Sequence, residues 1–130
     1  MRKNITYNQP LEKEIGFSRA VRINNIIAVT ATAPIAKDGS VHTPGNIYGQ
    51  AERCFEIIKD VIEQAGGTLN DVIRTRIFLK DIKRWKEVAK AHGKYFSKIQ
   101  PACSFIEVSG FINPEWLIEI EADAVLKKNK

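Results

Sequence analysis

Residues 117–126 alternate between apolar and acidic side chains, and this pattern restricts the fold more than any other stretch of the chain. Successive side chains of a β-strand point to opposite faces of its sheet, so a period of two predicts a strand with one buried and one polar face. The apolar side comprises Ile118, Ile120, Ala122 and Ala124, and the acidic side comprises Glu119, Glu121 and Asp123. Because another layer must cover the apolar face, the pattern predicts helices packed on one side of a sheet.

Two stretches of the chain can form that helical layer. Between residues 46 and 65, apolar side chains recur at three- and four-residue steps, and the side chain of Asn46 can cap the first turn. A second stripe predicts a helix over about 82–99, with Asp81 as its cap. His92 lies on this second stripe, where a hydrogen-bonded packing residue is favoured over a group that titrates at a site.

Five further stretches have strand-like composition and are bounded by turn residues. They are 5–7, 20–23, 26–31, 71–80 and 101–108, and Asn24-Asn25 forms a tight turn between the second and the third. The predicted order is therefore β-β-β-α-β-α-β-β. It describes one α+β domain over residues 1–130, a two-layer sandwich with a mixed six-stranded sheet and two helices on one face.

The alternation within 101–108 places Cys103 on one side of its strand, and Ile106 and Val108 on the other. Since the second pair is apolar, we expect Ile106 and Val108 to face the helices together with the apolar side of the last strand. Cys103 and Glu119 are then expected to share the opposite, polar face, where chemistry could take place.

The polar face of the sheet is expected to combine aromatic, basic and acidic groups. Its predicted members are Arg74, Arg76, Phe78, Phe105, Glu107, Glu119, Glu121 and Asp123. A face that mixes phenylalanine with charges of both signs is suited to contact with a second subunit, in which opposite charges compensate one another. The pattern therefore favours a homo-oligomer.

Composition narrows the class of protein further. The chain has 44% hydrophobic residues and a formal net charge of +5 with both signs mixed, which is ordinary for one globular domain. No apolar run approaches the ~20 residues that a membrane span needs, and no signal segment is recognisable, so we expect a cytoplasmic protein without membrane contact. Both cysteines are expected to be free thiols, with Cys54 in the core. No Cys/His cluster has metal-ligand spacing, so neither a metal nor a cofactor is expected.

Three blocks of the sequence resemble the signature blocks of the Rid (YjgF-type) family. They are Thr-Arg-Ile-Phe-Leu-Lys-Asp-Ile at 75–82, Pro-Ala-Cys-Ser-Phe-Ile-Glu-Val at 101–108 and Ile-Glu-Ile-Glu-Ala-Asp-Ala at 118–124. The similarity extends from about Gly16 to Val125. The best-known members are enamine/imine deaminases. The resemblance implies a chorismate-mutase-like fold and a homotrimer whose sheets form a central barrel, with ligand clefts between subunits.

The chain departs from the active deaminases of that family at positions that bind substrate. Those enzymes have an arginine at the position of Cys103, where a planar guanidinium holds the substrate carboxylate. A thiol cannot replace it, and the lost charge-assisted hydrogen bond is worth about 1.5–3 kcal/mol. Phe17, Ala31 and Ala89 stand where the family has tyrosine, glycine and asparagine. Glu119, which corresponds to the carboxylate that activates water, is retained, so the chain resembles the arginine-lacking side of the family.

The favoured hypothesis is a homotrimer that binds a small metabolite in its inter-subunit clefts, without ordinary 2-imino-acid deaminase activity. Its candidate site residues are Phe17, Arg19, Ala31, Thr32, His92, Cys103 and Glu119. Glu119 could act as a general base on water. Cys103 could act as a nucleophile if Arg19 or His92 stabilises its thiolate.

Several alternatives stay open from the sequence alone. Cys103 can be a small, inert side chain that faces the barrel, and Glu119 can form an ion pair with Arg74 or Arg76. The chain can also be a hydrolase that deaminates C=N substrates through a relocated clamp, Arg19 or Arg76. The third hypothesis is a non-catalytic interaction or RNA-binding protein. Nucleic acid is the partner that we expect least, because we find no histidine pair, no lysine-rich helix face and no aromatic–basic strip.

Overall fold

Residues 1–127, which the computed structural model describes, form one six-stranded sheet and three α-helices. The strands are β1 (Arg2–Ile5), β2 (Ala20–Ile23), β3 (Ile26–Thr32), β4 (Val72–Leu79), β5 (Ala102–Glu107) and β6 (Ile118–Val125). The helices are α1 (Pro10–Ile15), α2 (Ile47–Gln64) and α3 (Trp85–Phe96), and short 3-10 turns lie at Leu69–Asp71 and Ile82–Arg84. The predicted α+β class is confirmed, with α1 as an additional helix. Across these 127 residues, no helix is both long enough and apolar enough to cross a lipid bilayer.

The alternating strand, β6, lies inside the sheet, whose strand order is β1-β2-β3-β6-β4-β5. It pairs antiparallel with β3 on one side and with β4 on the other. β5 pairs with β4 in parallel, so the sheet is mixed, as predicted. β2 and β3 form the predicted hairpin, in which Asn24 has a φ of 54°, a left-handed conformation that asparagine tolerates.

α2 and α3 cover one face of the sheet and enclose the core. The apolar side of β6 is buried there, with Ile118, Ile120 and Ala124 fully inaccessible to solvent. The apolar stripe of α2 belongs to the same core, and within it the thiol of Cys54 donates to the carbonyl oxygen of Thr32 at 3.1 Å. Each large apolar side chain buried in this way stabilises the fold by about 1.5–3 kcal/mol. The predictions that Cys54 is a core residue and that both cysteines are free are confirmed.

The sequence pattern does not predict α1, because half of its six residues are charged and the helix is too short to show a stripe. Pro10 occupies the start of the helix, where its fixed φ is favourable and no N–H is needed. The carboxylate of Glu12 accepts a hydrogen bond from the hydroxyl of Thr6 at 2.6 Å and from the backbone N–H of Tyr7 at 3.3 Å. Gly16 ends the helix with a φ of 90°, which L-residues rarely adopt.

The orientation that we expected for β5 is wrong. β5 pairs with β4 so that Cys103 lies beside Thr75, which is buried on the helical face. Cys103, Phe105 and Glu107 therefore lie on the side of the helices, and Ile106 lies on the open face. The alternation correctly groups the side chains of β5, but it does not determine which group faces the core. The register of β5 with its neighbour β4 determines which group of side chains faces the helices.

Two contacts hold the helical side of β5 in place. The ring centroids of Phe105 and Trp85 lie 6.2 Å apart in an edge-to-face arrangement. The carboxylate of Glu107 accepts a hydrogen bond from the backbone N–H of Ile82 at 3.0 Å. Trp85, which the pattern places on the buried stripe of the second helix, is 44% exposed because it covers an edge strand.

A bulge in β4 changes one further assignment. The alternation predicts that Ile73 faces the core, but the pairing with β6 is irregular between Val72 and Arg74. Val72 takes the buried position, and Ile73 is 53% exposed. Because a bulge adds one residue to the strand, the side chains before it point to the opposite face from the one that simple alternation predicts. This explains why Ile73 is exposed.

Candidate functional site

A cavity of about 490 Å³ opens beside Glu119 of β6, which belongs to the sheet face that α2 and α3 leave uncovered. We call it the Glu119 cavity. Four residues predicted for the site line it: Phe17, Arg19, Ala31 and Glu119. Phe17 and Arg19 come from the link between α1 and β2, so segments far apart in the sequence converge here.

Among the titratable groups that line this cavity, the carboxyl group of Glu119 has the most clearly shifted pKa. It is partly buried and forms no hydrogen bond or ion pair with another residue of the range 1–127. Burial disfavours the charged form and raises the pKa of Glu119 to about 7, while the positive charge of Arg19 opposes the shift. A carboxyl group with this pKa can accept or donate a proton near neutral pH.

Arg19 brings a buried positive charge to the same cavity. Its backbone N–H donates to the carbonyl oxygen of Ile5 at 2.7 Å, and its own carbonyl oxygen accepts from the N–H of Thr30 at 3.0 Å. Its side chain is only 9% exposed, and its Nε lies 3.7 Å from Oε2 of Glu12. That distance permits an ion pair but no hydrogen bond, and Nε has no hydrogen-bond partner in the described part of the chain. Burial lowers the pKa of Arg19, and Glu12 opposes this shift.

A bulge in β3 shapes the part of the cavity wall that the sheet contributes. Val29 pairs with Ala122 and Thr32 with Ile120, so β3 has one residue more than β6 over this interval. Thr30 and Ala31 fill the interval, and both line the cavity. Bulges commonly redirect side chains next to functional sites.

Gln50 of α2 holds the loop that connects β5 to β6 in the sequence, and this loop forms part of the cavity wall. It is fully buried, its Nε2 donates to the carbonyl oxygen of Glu115 at 3.1 Å, and its Oε1 accepts from the N–H of Leu117 at 2.8 Å. The loop held in this way contributes Ile112 and Trp116 to the cavity. The sequence patterns did not single out these residues or Gln50, although a polar residue next to the apolar stripe of a helix can indicate a buried hydrogen bond.

Two predicted ligand-binding residues lie on the helical side of the sheet, away from the Glu119 cavity. Thr32 is buried, and its hydroxyl donates to the carbonyl oxygen of Thr30 at 2.8 Å. Nε2 of His92 lies 2.9 Å from the hydroxyl of Thr75, and burial lowers the pKa of the imidazole. This is the hydrogen-bonded packing role that we favoured for His92. Within residues 1–127, no three His, Cys, Asp or Glu side chains are grouped as a metal site requires.

Arg76 and Cys103 do not line the Glu119 cavity either. Nη1 of Arg76 lies 2.9 Å from Glu121 and 3.3 Å from Asp123, so its positive charge is compensated on the open face. The alternative that Glu119 pairs with an arginine of β4 is not observed among the described residues. Cys103 is exposed on the edge strand β5 and points to the opposite side of the sheet from Glu119. One chain therefore does not bring these two residues together.

The expectation that no helix face is rich in lysine is wrong. Lys86, Lys90 and Lys94 follow one another at four-residue steps on α3, and all three are exposed. Residues at this spacing lie on one side of a helix. Nζ of Lys94 lies 2.5 Å from Oε2 of Glu52, so the charge of this lysine is partly compensated.

Comparisons with known proteins agree with the fold and with the sequence blocks. The family model described as endoribonuclease L-PSP matches residues 8–126. A RutC family protein of Pyrococcus abyssi is 34% identical over 125 residues, which are 95% of this chain and 98% of that protein. These matches cover nearly the whole described chain.

Solved structures show the same architecture. Rv2704 of Mycobacterium tuberculosis, a member of the YjgF/YER057c/UK114 family, is 39% identical with a TM-score of 0.88 and covers 97% of this chain and 100% of its own. The YjgF gene product of E. coli is 29% identical with a TM-score of 0.79 over 85% of this chain and 88% of its own. The fold is therefore the chorismate-mutase-like arrangement that the resemblance implies. From its family match and its relatives, the chain belongs to the Rid (YjgF-type) family, which the endoribonuclease L-PSP model describes.

Proposed function

We propose that this chain binds a small, carboxylate-bearing metabolite in the Glu119 cavity and that ordinary 2-imino-acid deamination is not its activity. One observation carries the proposal: the buried guanidinium of Arg19, without a hydrogen bond from its side chain to the rest of residues 1–127, lines the same cavity as the partly buried carboxyl of Glu119. A buried donor without an acceptor, such as Nε of Arg19, is costly unless a ligand supplies one.

The chemistry of the cavity matches such a ligand. A guanidinium binds a carboxylate through two parallel hydrogen bonds, and a charge-assisted bond contributes about 1.5–3 kcal/mol. Phe17, Ile112 and Trp116 offer apolar surface for the remainder of the molecule. Cys103 cannot supply the missing positive charge, which is why we do not expect the deaminase activity of family members that have arginine at this position.

A homotrimer is part of this proposal. The open face of the sheet carries Phe78 and Ile106 together with the compensated charges around Arg76, a mixture suited to contact between subunits. A neighbouring subunit could then extend the cavity into an inter-subunit cleft to which its Cys103 contributes. Sedimentation velocity tests this part: a particle of about three times the 14.7 kDa chain mass is expected. A particle of one chain mass would rule out the cleft but would leave the cavity within one chain.

Calorimetric titration with pyruvate, a stable 2-oxo acid, tests the ligand-binding proposal. We expect saturable binding that Arg19→Gln weakens roughly tenfold or more, because the substitution removes a charge-assisted hydrogen bond. Arg74→Gln is the matched control, since Arg74 is an exposed arginine of β4 that does not line the cavity. Equal affinity of the wild type and Arg19→Gln, with both proteins folded, would contradict the proposal.

The second candidate is a working imine hydrolase in which Arg19 is the relocated clamp. The observation that favours it is that Arg19 lines the cavity with Glu119, whereas Arg76 does not. Glu119 would take a proton from water as the oxygen attacks the C=N carbon and give it to the nitrogen, which yields a carbinolamine. It would then carry the hydroxyl proton of the carbinolamine to the nitrogen, so that the C–N bond breaks, ammonia leaves and a C=O group forms. Ammonia release from freshly generated 2-iminopropanoate separates the candidates: the hydrolase predicts a rate above that of buffer and of Glu119→Gln.

A role in RNA binding is the candidate of another class. The exposed lysines of α3 favour it, although Lys94 is engaged by Glu52. Binding that falls steeply with added salt, and that Lys90→Glu weakens, is the result that would support it. We place it third because the aromatic rings beside these lysines, Trp85 and Tyr95, already pack against Phe105 and Phe55 within the chain.

A further inference from the structure

A second cavity adjoins the Glu119 cavity and has no part in the proposed function. It has a volume of about 440 Å³ and lies against α2, the segment that precedes α1 and the residues that follow β3. We call it the outer cavity. Gln9, Arg19 and Ile35 line both cavities, so Arg19 stands at the boundary between them.

Three cationic side chains line the outer cavity: Arg19, Lys37 and Arg53. The side chain of Arg53 is 15% exposed and is held by two bonds, from Nε to the carbonyl oxygen of Ile35 at 2.7 Å and from Nη1 to Oε1 of Glu56 at 3.3 Å. Its Nη2 makes no hydrogen bond within residues 1–127. This arrangement fixes the guanidinium and leaves one edge available to a ligand.

Two carboxylates also line the outer cavity, but both have donors from the protein. Glu56 accepts the bond from Arg53, and Asp60 accepts hydrogen bonds from the hydroxyl of Tyr7 and from Nε2 of Gln64. With three cationic groups against these two carboxylates, the lining of the cavity keeps a surplus of positive charge. A cavity with this surplus is suited to an anion and not to a cation.

We propose that the outer cavity binds a small oxyanion, the carboxylate or phosphate group of a metabolite, between Arg53 and Arg19, with Lys37 at its entrance. The side chain of Arg19 is nine-tenths buried, carries five N–H donors and forms no hydrogen bond from that side chain with the described residues. A guanidinium with five donors can serve ligands on two sides, so a ligand in the Glu119 cavity does not exhaust it. The proposal therefore stands independently of what the Glu119 cavity binds.

Nuclear magnetic resonance titration of the ¹⁵N-labelled protein tests the site at constant ionic strength. Inorganic phosphate and malonate are the two probes, and their relative affinities distinguish a phosphate site from a carboxylate site. We expect saturable shifts of the backbone amides of Ala36, Lys37 and Arg53, with a Kd of about 1 mM or tighter for at least one probe. The absence of saturable shifts at these amides with both probes would overturn the proposal.

Two variants test the location of the anion in different ways. Arg53→Gln removes a cation but can also disturb the bond to Ile35, so Ala36→Glu provides a second test by placing a carboxylate in the cavity without removing a cation. Each should weaken binding at least fivefold. The control is Lys59→Gln, an exposed lysine of α2 that does not line the cavity, and it should leave the Kd unchanged. Binding by both Arg53→Gln and Ala36→Glu with the wild-type Kd would overturn the proposal.

Glu119→Gln separates this inference from the proposed function. The substitution alters the Glu119 cavity and leaves the three cations of the outer cavity in place. Phosphate or malonate should therefore bind this variant with the wild-type Kd, whatever its effect on pyruvate. If Glu119→Gln instead tightens the binding of both anions, as the loss of a carboxylate beside them would, the anion occupies the Glu119 cavity and the outer site does not exist.

Discussion

Nε of Arg19 lies 3.7 Å from Oε2 of Glu12, close enough for an ion pair and too far for a hydrogen bond. Both side chains are almost fully buried, so neither charge is compensated by bulk water. Glu12 satisfies its own oxygens with donors from the segment before α1, and Arg19, whose side chain makes no hydrogen bond within residues 1–127, lines the two cavities. The fold thus stabilises the charge of Arg19 without using its hydrogen-bonding capacity.

Glu12→Gln should destabilise the fold by about 2–4 kcal/mol. The substitution removes the negative charge that faces Arg19 and weakens the bonds from Thr6 and Tyr7, and the loss of one partner of a buried pair leaves an uncompensated charge. Urea unfolding followed by circular dichroism measures the change. Glu14→Gln, which alters an exposed carboxylate of the same helix, should cost less than about 0.5 kcal/mol. Similar unfolding free energies for the two variants would refute this account of the pair.

Glu119 should make the fold less stable as the pH rises. Its pKa is raised to about 7 in the folded protein, whereas an unfolded chain has a glutamate pKa of about 4.3. Between these values the folded state holds the proton more tightly, so stability is greatest below about 4.3, falls as the pH rises towards 7 and levels off above it. Since the group is only partly buried, we expect a loss of roughly 1–2 kcal/mol.

Unfolding free energies at pH 5, 6, 7 and 8 measure this loss. Glu119→Gln should become more stable than the wild type as the pH rises, because the amide does not ionise. The same substitution at Glu115, an exposed residue, provides the control and should give a difference that is independent of pH. A constant difference between Glu119→Gln and the wild type over this range would show that burial does not perturb the carboxyl group.

Gln50 should act as a positioning residue for the Glu119 cavity. Gln50→Leu preserves volume but removes the partners of the Glu115 carbonyl oxygen and the Leu117 N–H, so we expect a cost of about 2–3 kcal/mol. The loop that carries Trp116 should then move, and pyruvate should bind more weakly. Gln64→Leu, on the exposed side of α2, is the control for the change of residue type. A destabilised Gln50→Leu protein with wild-type pyruvate affinity would confine the role of Gln50 to folding.

The two thiols should differ strongly in reactivity. Cys103 is exposed, whereas Cys54 is fully buried and burial raises the pKa of its thiol. A chromogenic disulfide reagent should therefore label one thiol quickly in the native protein, and the second only in urea. Cys103→Ser should abolish the fast phase and Cys54→Ala should not. Two fast thiols in the native wild type would mean that the α2 core opens readily.

Most of the fold is predictable from the sequence because the strongest sequence patterns are local. The period of two in 117–126 and the stripe from 46 to 65 each arise within one element, and both predictions are confirmed. The orientation of β5 depends on its pairing with β4, and a pattern within one strand does not contain that information. α1 depends on hydrogen bonds to Glu12 from residues before the helix, which a search for apolar stripes does not detect.

Only part of the candidate site could be predicted from the sequence. The resemblance pointed to Phe17, Ala31 and Glu119, and these residues do lie together with Arg19. That Arg19 is buried beside Glu12 without a hydrogen bond between them depends on the distance between the two side chains. The spacing of residues in the sequence does not give that distance. Cys103 was placed on the wrong face for the reason given for β5, and its contribution to a site stays a prediction that depends on a neighbouring subunit.

The extra residue of β3 between Val29 and Thr32 has an evolutionary consequence. A deletion of one residue at this point would restore regular pairing with β6 while leaving Val29 and Thr32 opposite their present partners. The chain would then present one side chain, in place of both Thr30 and Ala31, to the ligand space. Within such a scaffold, a single-codon deletion could change ligand preference without changing the hydrophobic interior.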